Sequence, residues 1–438
     1  MWYDFSEMTN YRKRIADAIL AEKLSYMGAV LVRGAKWCGK TTTCEQLAKS
    51  VLYMADPDHA AMNRETARIR PSLLLKGATP RLIDEWQEAP ELWDAIRFSV
   101  DHREGYGQYI LTGSAVPPEA DEENESECVI RHTGAGRIAR FTMRPMSLYE
   151  SGDSTGEVSL EELFSGKNPT GAANRLKLED LAELVCRGGW PAALDMPRRY
   201  ARKPVEEYLA AIVESDVTRV DKSLRDPERV RRILKSLARL QGTQSSASVI
   251  CADLREHEGS SFSDDTIYKY LAALRKIYVT DDMPAWCPAL LSKTPIRTAD
   301  TRYFTDPSVA AAVLGVGPGD LMNDLPTFGF FFETMAVRDL RVYADAIGAH
   351  VSHYRDKNNL ECDAVIHLDN GQAGLVEIKL GGDALIEKGA ATLRTLAEKL
   401  DTQRTPPPAF KMVVVGEGDF AYQRTDGIVV CPIGALRP

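Results

Sequence analysis

The segment Gly34-Ala35-Lys36-Trp37-Cys38-Gly39-Lys40-Thr41 has the spacing G-x-x-x-x-G-K-S/T, and it constrains the fold more than any other feature of the chain. Such a loop works only where a strand enters it and a helix leaves it. Residues 28–33 (GAVLVR) read as a buried strand, and residues 42–53 read as a helix. The chemistry explains the spacing. Gly34 and Gly39 let the backbone curl so that successive N–H groups point inward at phosphate oxygens. The start of the helix adds partial positive charge. Lys40 is placed to reach the β- and γ-phosphates, and the Thr41 hydroxyl to ligate Mg²⁺. Residues Gly34 to Thr42 are therefore the expected contacts of a nucleoside triphosphate with Mg²⁺, with Thr42 closing the set. No asparagine–lysine–x–aspartate segment for reading guanine is present, so ATP is expected.

A metal-bound triphosphate also needs an acid at a neighbouring strand end. Residues 81–85 (RLIDE) supply two. Asp84 is expected to bind Mg²⁺, directly or through water, and Glu85 to polarise the attacking water. Glu88 reads as a surface residue at a helix start. The apolar run 109–112 (YILT) ends in Gly113 and Ser114. Ligands of doubly wound sheets collect at strand C-termini, so Thr112 and Ser114 are both candidates to stand beside the γ-phosphate. Arg137 precedes the run 138–143 and is a candidate to neutralise transferred phosphoryl charge, in cis or from a neighbouring subunit. With 51–56 as another strand, residues 1–155 read as one parallel α/β module. The acidic stretch 119–127 within it reads as a solvated loop.

A chain of 438 residues exceeds one compact core and implies two to four domains. Hydrophobic residues make up 44% and charged residues 27%, as in ordinary globular proteins. No apolar run reaches the ~18–20 residues that span a bilayer. The opening Met1-Trp2-Tyr3-Asp4 has no basic stretch followed by an apolar one, so no signal peptide is expected. The 8 cysteines form no C-x-x-C pair, which argues against zinc and against a disulfide framework. A reducing cytoplasm and no membrane association are the expectation. The net charge of -9 excludes wholesale coating of nucleic acid but leaves room for a local basic patch.

Residues 156–215 read as mainly helical, broken at Gly188-Gly189-Trp190-Pro191. Residues 216–300 hold amphipathic helices. Ile233, Leu234, Leu237 and Leu240 share one face, and Ile267, Tyr270, Leu271 and Leu274 share another. Arg and Lys are frequent over 198–239, with acids interleaved as on a solvated helix face. Pro284, Pro288 and Pro295 mark a turn region. The last third returns to α/β patterning, with strands at 362–368, 374–378 and 411–415 and helices at 331–340 and 384–400. Glu333 lies on the first of these helices, Asp363 begins a strand, and Glu377 and Lys379 share one face at the end of the next. A hairpin would bring Asp363 and Glu377 within reach of one Mg²⁺, a cation that demands oxygen ligands. Lys379 would then position a water.

Taken together, GAKWCGKTTT, LIDEWQEAPELW, YILTGSA, GRIARFTMRPMSLYE and the GGWP turn resemble the prokaryotic AAA-type P-loop ATPases with a C-terminal domain of unknown function. The resemblance covers nearly the whole chain. It implies an α/β fold: a P-loop parallel sheet (1–155), a helical lid (156–215), a winged-helix-like middle (216–300) and a C-terminal domain like PD-(D/E)XK restriction endonucleases (301–438). Asp363, Glu377 and Lys379 then match that fold's nuclease signature, and the helix at 266–278, exposing Tyr268, Lys269, Arg275 and Lys276, matches a DNA-contacting position. The expected function is ATP hydrolysis coupled to the C-terminal half, with DNA as a partner through the winged-helix-like region and a homo-oligomer as an open arrangement. Two alternatives stand beside it: an ATP-regulated metal-dependent nuclease, and a nucleotide-dependent switch that binds a protein.

Overall fold

Runs such as Ala29–Arg33 and Tyr109–Gly113 are apolar at nearly every position, and a strand of that kind is stable only with both faces covered. A computed structural model describes residues 11–114, 133–169, 171–221, 226–287, 299–400 and 406–438. The expected acidic loop at 119–127, Pro288 and Pro295 lie outside these residues. The chain forms two compact units, Met1–Arg144 with Lys276–Tyr278, and Pro145–Arg275 with Val279–Pro438.

In the first unit α1 (Ile15–Tyr26) leads into β1 (Ala29–Arg33), the loop, and α2 (Lys40–Glu45). Then follow β2 (Ser50–Tyr53), α3 (Ala60–Ile69), β3 (Arg81–Asp84), α4 (Leu92–His102), β4 (Tyr109–Gly113) and β5 (Ile138–Thr142). The helix expected over 42–53 is shorter than its sequence suggested, because Ser50–Tyr53 pairs with β3 as a strand. The five strands are parallel in the order β2-β3-β4-β1-β5. This order brings the C-terminal ends of β1, β3 and β4 side by side. Leu31, Ile83, Trp86, Trp93, Ile96 and Leu111 form the core that holds them.

The second unit opens with α5 (Leu148–Ser151), β6 (Val158–Ser159), α6 (Leu160–Phe164) and β7 (Ala172–Ala173). Helices α7 (Leu178–Arg187), α8 (Pro191–Leu194) and α9 (Lys203–Ala211) follow, then a π-helical turn Ile212–Asp216 and α10 (Val217–Val220). The region expected as a helical lid is therefore not helical throughout: β7 pairs with a C-terminal strand, β12 (Phe420–Gln423), and β6 with another, β14 (Leu436–Arg437). Helices α11 (Pro227–Arg239), α12 (Ala247–Glu258) and α13 (Asp264–Lys276) come next. They precede two antiparallel bridges, Thr280 with Phe304 and Met283 with Thr301. Helices α14 (Pro307–Leu314), α15 (Pro318–Asn323) and α16 (Leu325–Ala346) lead to β8 (Ala349–Arg355), β9 (Glu361–Leu368), β10 (Ala373–Lys379), α17 (Asp383–Lys399), β11 (Phe410–Val415) and β13 (Val429–Pro432). The sheet order is β7-β12-β13-β11-β10-β9-β8. Leu375, Leu393, Leu396, Val413 and Val430 pack between α17 and the sheet.

Two of the sequence motifs meet in the buried part of this unit. The Arg338 guanidinium bridges Asp306 and Asp339, each at 2.7 Å, and all three are buried. Burial works against the charge on Arg338, but Asp339 and Asp306 outweigh it and hold its pKa above the usual arginine range. Asp306 accepts from the Gly189 N–H at 3.0 Å, and Asp339 from the Leu148 N–H at 3.0 Å. Trp190 Nε1 donates to Ser308 Oγ, which in turn donates to Asp306. The Gly189 carbonyl accepts from Met146 N at 2.7 Å. A Cβ on Gly189 would stand 2.1 Å from the Met146 carbonyl oxygen, so only glycine permits this approach. Gly189→Ala is expected to destabilise the second unit by about 1–3 kcal/mol through overpacking against backbone. An unchanged urea midpoint for that unit would refute the requirement. Among the described residues no helix is long and apolar enough to cross a membrane.

Candidate functional site

The phosphate loop begins where β1 ends. Gly34 has φ 152 and Gly39 φ 97, and a Cβ on Gly34 would meet the Met143 carbonyl oxygen at 2.1 Å. The first glycine is thus required by the close approach of the strand beside it, and the second by the turn into α2. Ala35 and Cys38 are buried, whereas Trp37, with φ 64, is 52% exposed at the tip of the loop. Lys36 and Thr42 are half-buried. Lys40 is buried and its Nζ donates to the carbonyls of Gly34 at 3.0 Å and Ala35 at 2.7 Å. The loop therefore curls around its own ammonium group. A cation centred in a glycine-bounded curl fits a phosphate.

The acids approach from β3. Asp84 Oδ1 accepts from the Thr41 hydroxyl at 2.7 Å and from the Thr112 hydroxyl at 2.5 Å. Between the two end residues considered on β4, it is Thr112 that touches Asp84. Ser114 is buried just beyond the strand. Glu85 has φ 53 and ψ 47, a left-handed conformation that costs a non-glycine residue roughly 1–2 kcal/mol. Strain of this kind persists only where surrounding structure enforces it. Gln87 Nε2 donates to Glu85 Oε2 and pins the carboxylate. Burial, and after it the charge of Asp84, raise the pKa of Glu85 above the ordinary carboxylate range. A Thr–Asp pair for a divalent ion and a strained, raised-pKa glutamate beside it are suited to holding a hydrated metal and accepting a proton from water.

Arg137 is not brought to this place. Its backbone carbonyl accepts from Ala29 N, at the start of β1, and its side chain pairs with Asp101 at 2.8 Å. The strands are parallel, so Arg137 lies at the N-terminal edge of the sheet and the loop at the other. Five residues of strand span ~16 Å. Of the two arrangements open for Arg137, in cis or from a neighbouring subunit, the direction of β5 leaves the second as the one that could bring it to phosphate.

Sequence reasoning also missed Arg14. Its guanidinium is buried and donates from Nη1 to the Cys38 carbonyl and from Nη2 to the Arg144 carbonyl, both at 2.9 Å. Nothing in the local sequence signals this, because the residue precedes the loop by a whole helix and strand.

In the second unit the antiparallel register Ala364 with Val376 sets Asp363 against Glu377. Lys379 Nζ lies 2.8 Å from Asp363 Oδ2 and 2.7 Å from Glu377 Oε2. Asp363 also accepts from the Ile378 N–H at 2.7 Å. Glu333 on α16 accepts from the Tyr303 hydroxyl at 2.5 Å. Burial and the charge of Asp363 push the carboxyls of Glu333 and Glu377 well up. Burial opposes the ammonium of Lys379, but Asp363 and Glu377 outweigh it and hold it protonated. The four side chains converge, yet among the described residues no group of three or more His, Cys, Asp or Glu is arranged to hold a metal ion. Lys379 thus bridges two of the three carboxylates at which a metal is expected, in the place beside them that the sequence reading gave it. A cleft of about 630 Å³ opens here, lined by Leu325, Phe330, Glu333, Lys379 and Leu385.

Comparison with known proteins follows this division of the chain. Residues 27–151, most of the first unit and the opening of the second, match the model of an AAA domain family. Residues 178–320 and 328–436 match two domains of unknown function, DUF8612 and DUF4143. Uncharacterized proteins of Mycobacterium bovis and Mycobacterium tuberculosis are each 22% identical over 424 residues, covering 96% of this chain and 83% of theirs. Among solved structures, a Walker-type ATPase of Pyrococcus abyssi has 15% identity and a TM-score of 0.41, covering 68% of this chain and 94% of that one. The ORC1 protein of Aeropyrum pernix in complex with DNA has 16% identity and a TM-score of 0.27, covering 70% and 93%. At such scores neither likeness carries an argument about this chain.

Proposed function

We propose that this protein hydrolyses ATP with Mg²⁺ in its first unit and uses the cycle to control nucleic-acid binding by its second. One observation carries the ATPase reading: the buried Lys40 inside the loop, with Thr41, Asp84 and Glu85 gathered beside it. Residues Gly34 to Thr42 cradle the phosphates, and Lys40 neutralises the β- and γ-oxygens. Thr41 and Asp84 hold Mg²⁺, which supplies charge neutralisation on the phosphates. Glu85 takes the proton of a water attacking in line. Ser114, buried just beyond β4, is assigned to contact the γ-phosphate or the water. Arg137 contributes only from a neighbouring copy, in a homo-oligomer.

For the second unit, the reading rests on three helices followed by a bridged pair, the order of a winged helix. Tyr268 is 56% exposed on α13 and Lys269 is exposed beside it, whereas Arg275 is tied to Asp282 at 2.7 Å. The Asp363–Glu377–Lys379 arrangement supports a nuclease-like domain kept for binding, because its own lysine occupies the carboxylates. The second reading is metal-dependent cleavage, favoured by the same strand-end carboxylates once Lys379 yields to Mg²⁺ or Mn²⁺.

The deciding experiment is the steady-state ATPase rate with no nucleic acid, with single-stranded DNA and with duplex DNA, run alongside a cleavage assay in Mg²⁺ and Mn²⁺. The expected outcome is stimulation of several-fold by DNA without cleavage. An ATPase indifferent to both DNAs would overturn the nucleic-acid reading in favour of a protein-binding switch. Cutting lost in Asp363→Asn would establish the nuclease.

A further inference from the structure

The loop's shape depends on a residue outside it. A trans peptide points its C=O and its N–H in opposite directions. Arg14 holds the carbonyl of Cys38 from behind the loop at 2.9 Å, so the N–H of the next residue, Gly39, is turned the other way, into the curl where phosphate oxygens belong. The second arm of the same guanidinium holds the Arg144 carbonyl at 2.9 Å, just after β5. Its neighbour Met143 is already engaged with the loop, through the Cys38 thiol at 3.5 Å and through its close approach to Gly34. One rigid, planar group thus spaces the loop from the strand that backs it. Lysine, a single point charge on a flexible stem, cannot hold two carbonyls in a fixed relation.

Arg14 is itself held. Its backbone N–H donates to Asp17 at 2.8 Å, and Asp17 accepts from the Tyr11 hydroxyl at 2.5 Å. The Tyr11 hydroxyl also lies 3.1 Å from Thr43 Oγ1 on α2. The segment from Tyr11 to Asp17 is a clasp across the back of the loop and the first turn of its helix.

We propose that Arg14 is the positioning residue of the phosphate site, setting nucleotide affinity through the backbone of the loop without touching the nucleotide. This rests on reading residues Gly34 to Thr42 as a nucleotide site. Removing the guanidinium frees the Cys38–Gly39 peptide to rotate and also removes a positive charge from behind the anion.

The test uses the full-length protein, with MgADP binding measured by calorimetry and MgATP turnover measured over a range of concentrations. In Arg14→Ala the MgADP dissociation constant and the KM for MgATP are expected to rise about 10–100-fold, the effect of losing charge-assisted hydrogen bonds. kcat is expected to stay within about threefold, since no reacting group has changed. Arg14→Lys keeps the charge and loses the fork, so its affinity should recover only in part. It also serves as the folded variant if alanine compromises folding. Methylguanidinium added to Arg14→Ala should restore affinity, which a general loss of stability would not allow. Wild-type affinity in folded Arg14→Ala, full recovery in Arg14→Lys, or a fall in kcat at constant KM would each overturn the proposal. If the wild type binds MgADP and Lys40→Ala does not, a negative result counts against Arg14 alone. If the wild type fails to bind, the nucleotide site itself falls and the proposal with it.

Discussion

Lys40→Ala is expected to leave a folded protein whose MgATP affinity or turnover is at least ~100-fold reduced, the scale of removing one partner of a buried charge contact. Two effects act together. The ammonium facing the β- and γ-phosphates is lost, and the carbonyls of Gly34 and Ala35 lose the donor around which the loop is curled. The second effect matters because a loop whose carbonyls are unpaired can turn them inward and repel phosphate. Calorimetry with MgADP and a phosphate-release assay with MgATP read both consequences. Normal turnover by the purified, folded variant would remove residues 34–42 as the site.

Glu85→Gln should separate binding from chemistry. The substitution keeps shape and the contact with Gln87 but removes the group that accepts a proton from water. Nucleotide affinity is expected within a few-fold of wild type, with kcat lower by ~10²–10⁴-fold, the range for loss of a general base. The pH profile gives an independent sign. Burial and Asp84 raise the Glu85 pKa, so the carboxylate is protonated, and inactive as a base, at pH values where an ordinary glutamate is ionised. The acidic limb of wild-type kcat/KM, which reports the free enzyme, should accordingly lie above that of an ordinary glutamate, with kcat/KM falling as pH drops through it. That limb should vanish in Glu85→Gln. If the variant instead lost nucleotide binding and kept its rate per bound nucleotide, the roles of Asp84 and Glu85 would have to be exchanged.

The amino-acid sequence alone determined the phosphate loop, the strand carrying Asp84 and Glu85, and the spacing of Asp363, Glu377 and Lys379. The reason is that each depends on contiguous backbone. Glycine at Gly34 and Gly39 decides the curl, apolar patterning decides the strand, and alternation decides the face on which Glu377 and Lys379 lie together. The sequence also marked the GGWP turn as a break. Its cause lies far away in the chain, in Asp306, Arg338 and the approach of Met146.

Tertiary structure decided which groups meet. Placing β4 between β1 and β3 is what sets Thr112, rather than Ser114, on Asp84. The parallel direction of β5 is what removes Arg137 from the phosphate edge. Tyr303 on Glu333 and Arg14 against the Cys38 carbonyl are partnerships between distant segments. Local pattern carries no record of them, because a side chain's partner is set by strand order and packing, whereas a backbone turn is set by the residues that make it.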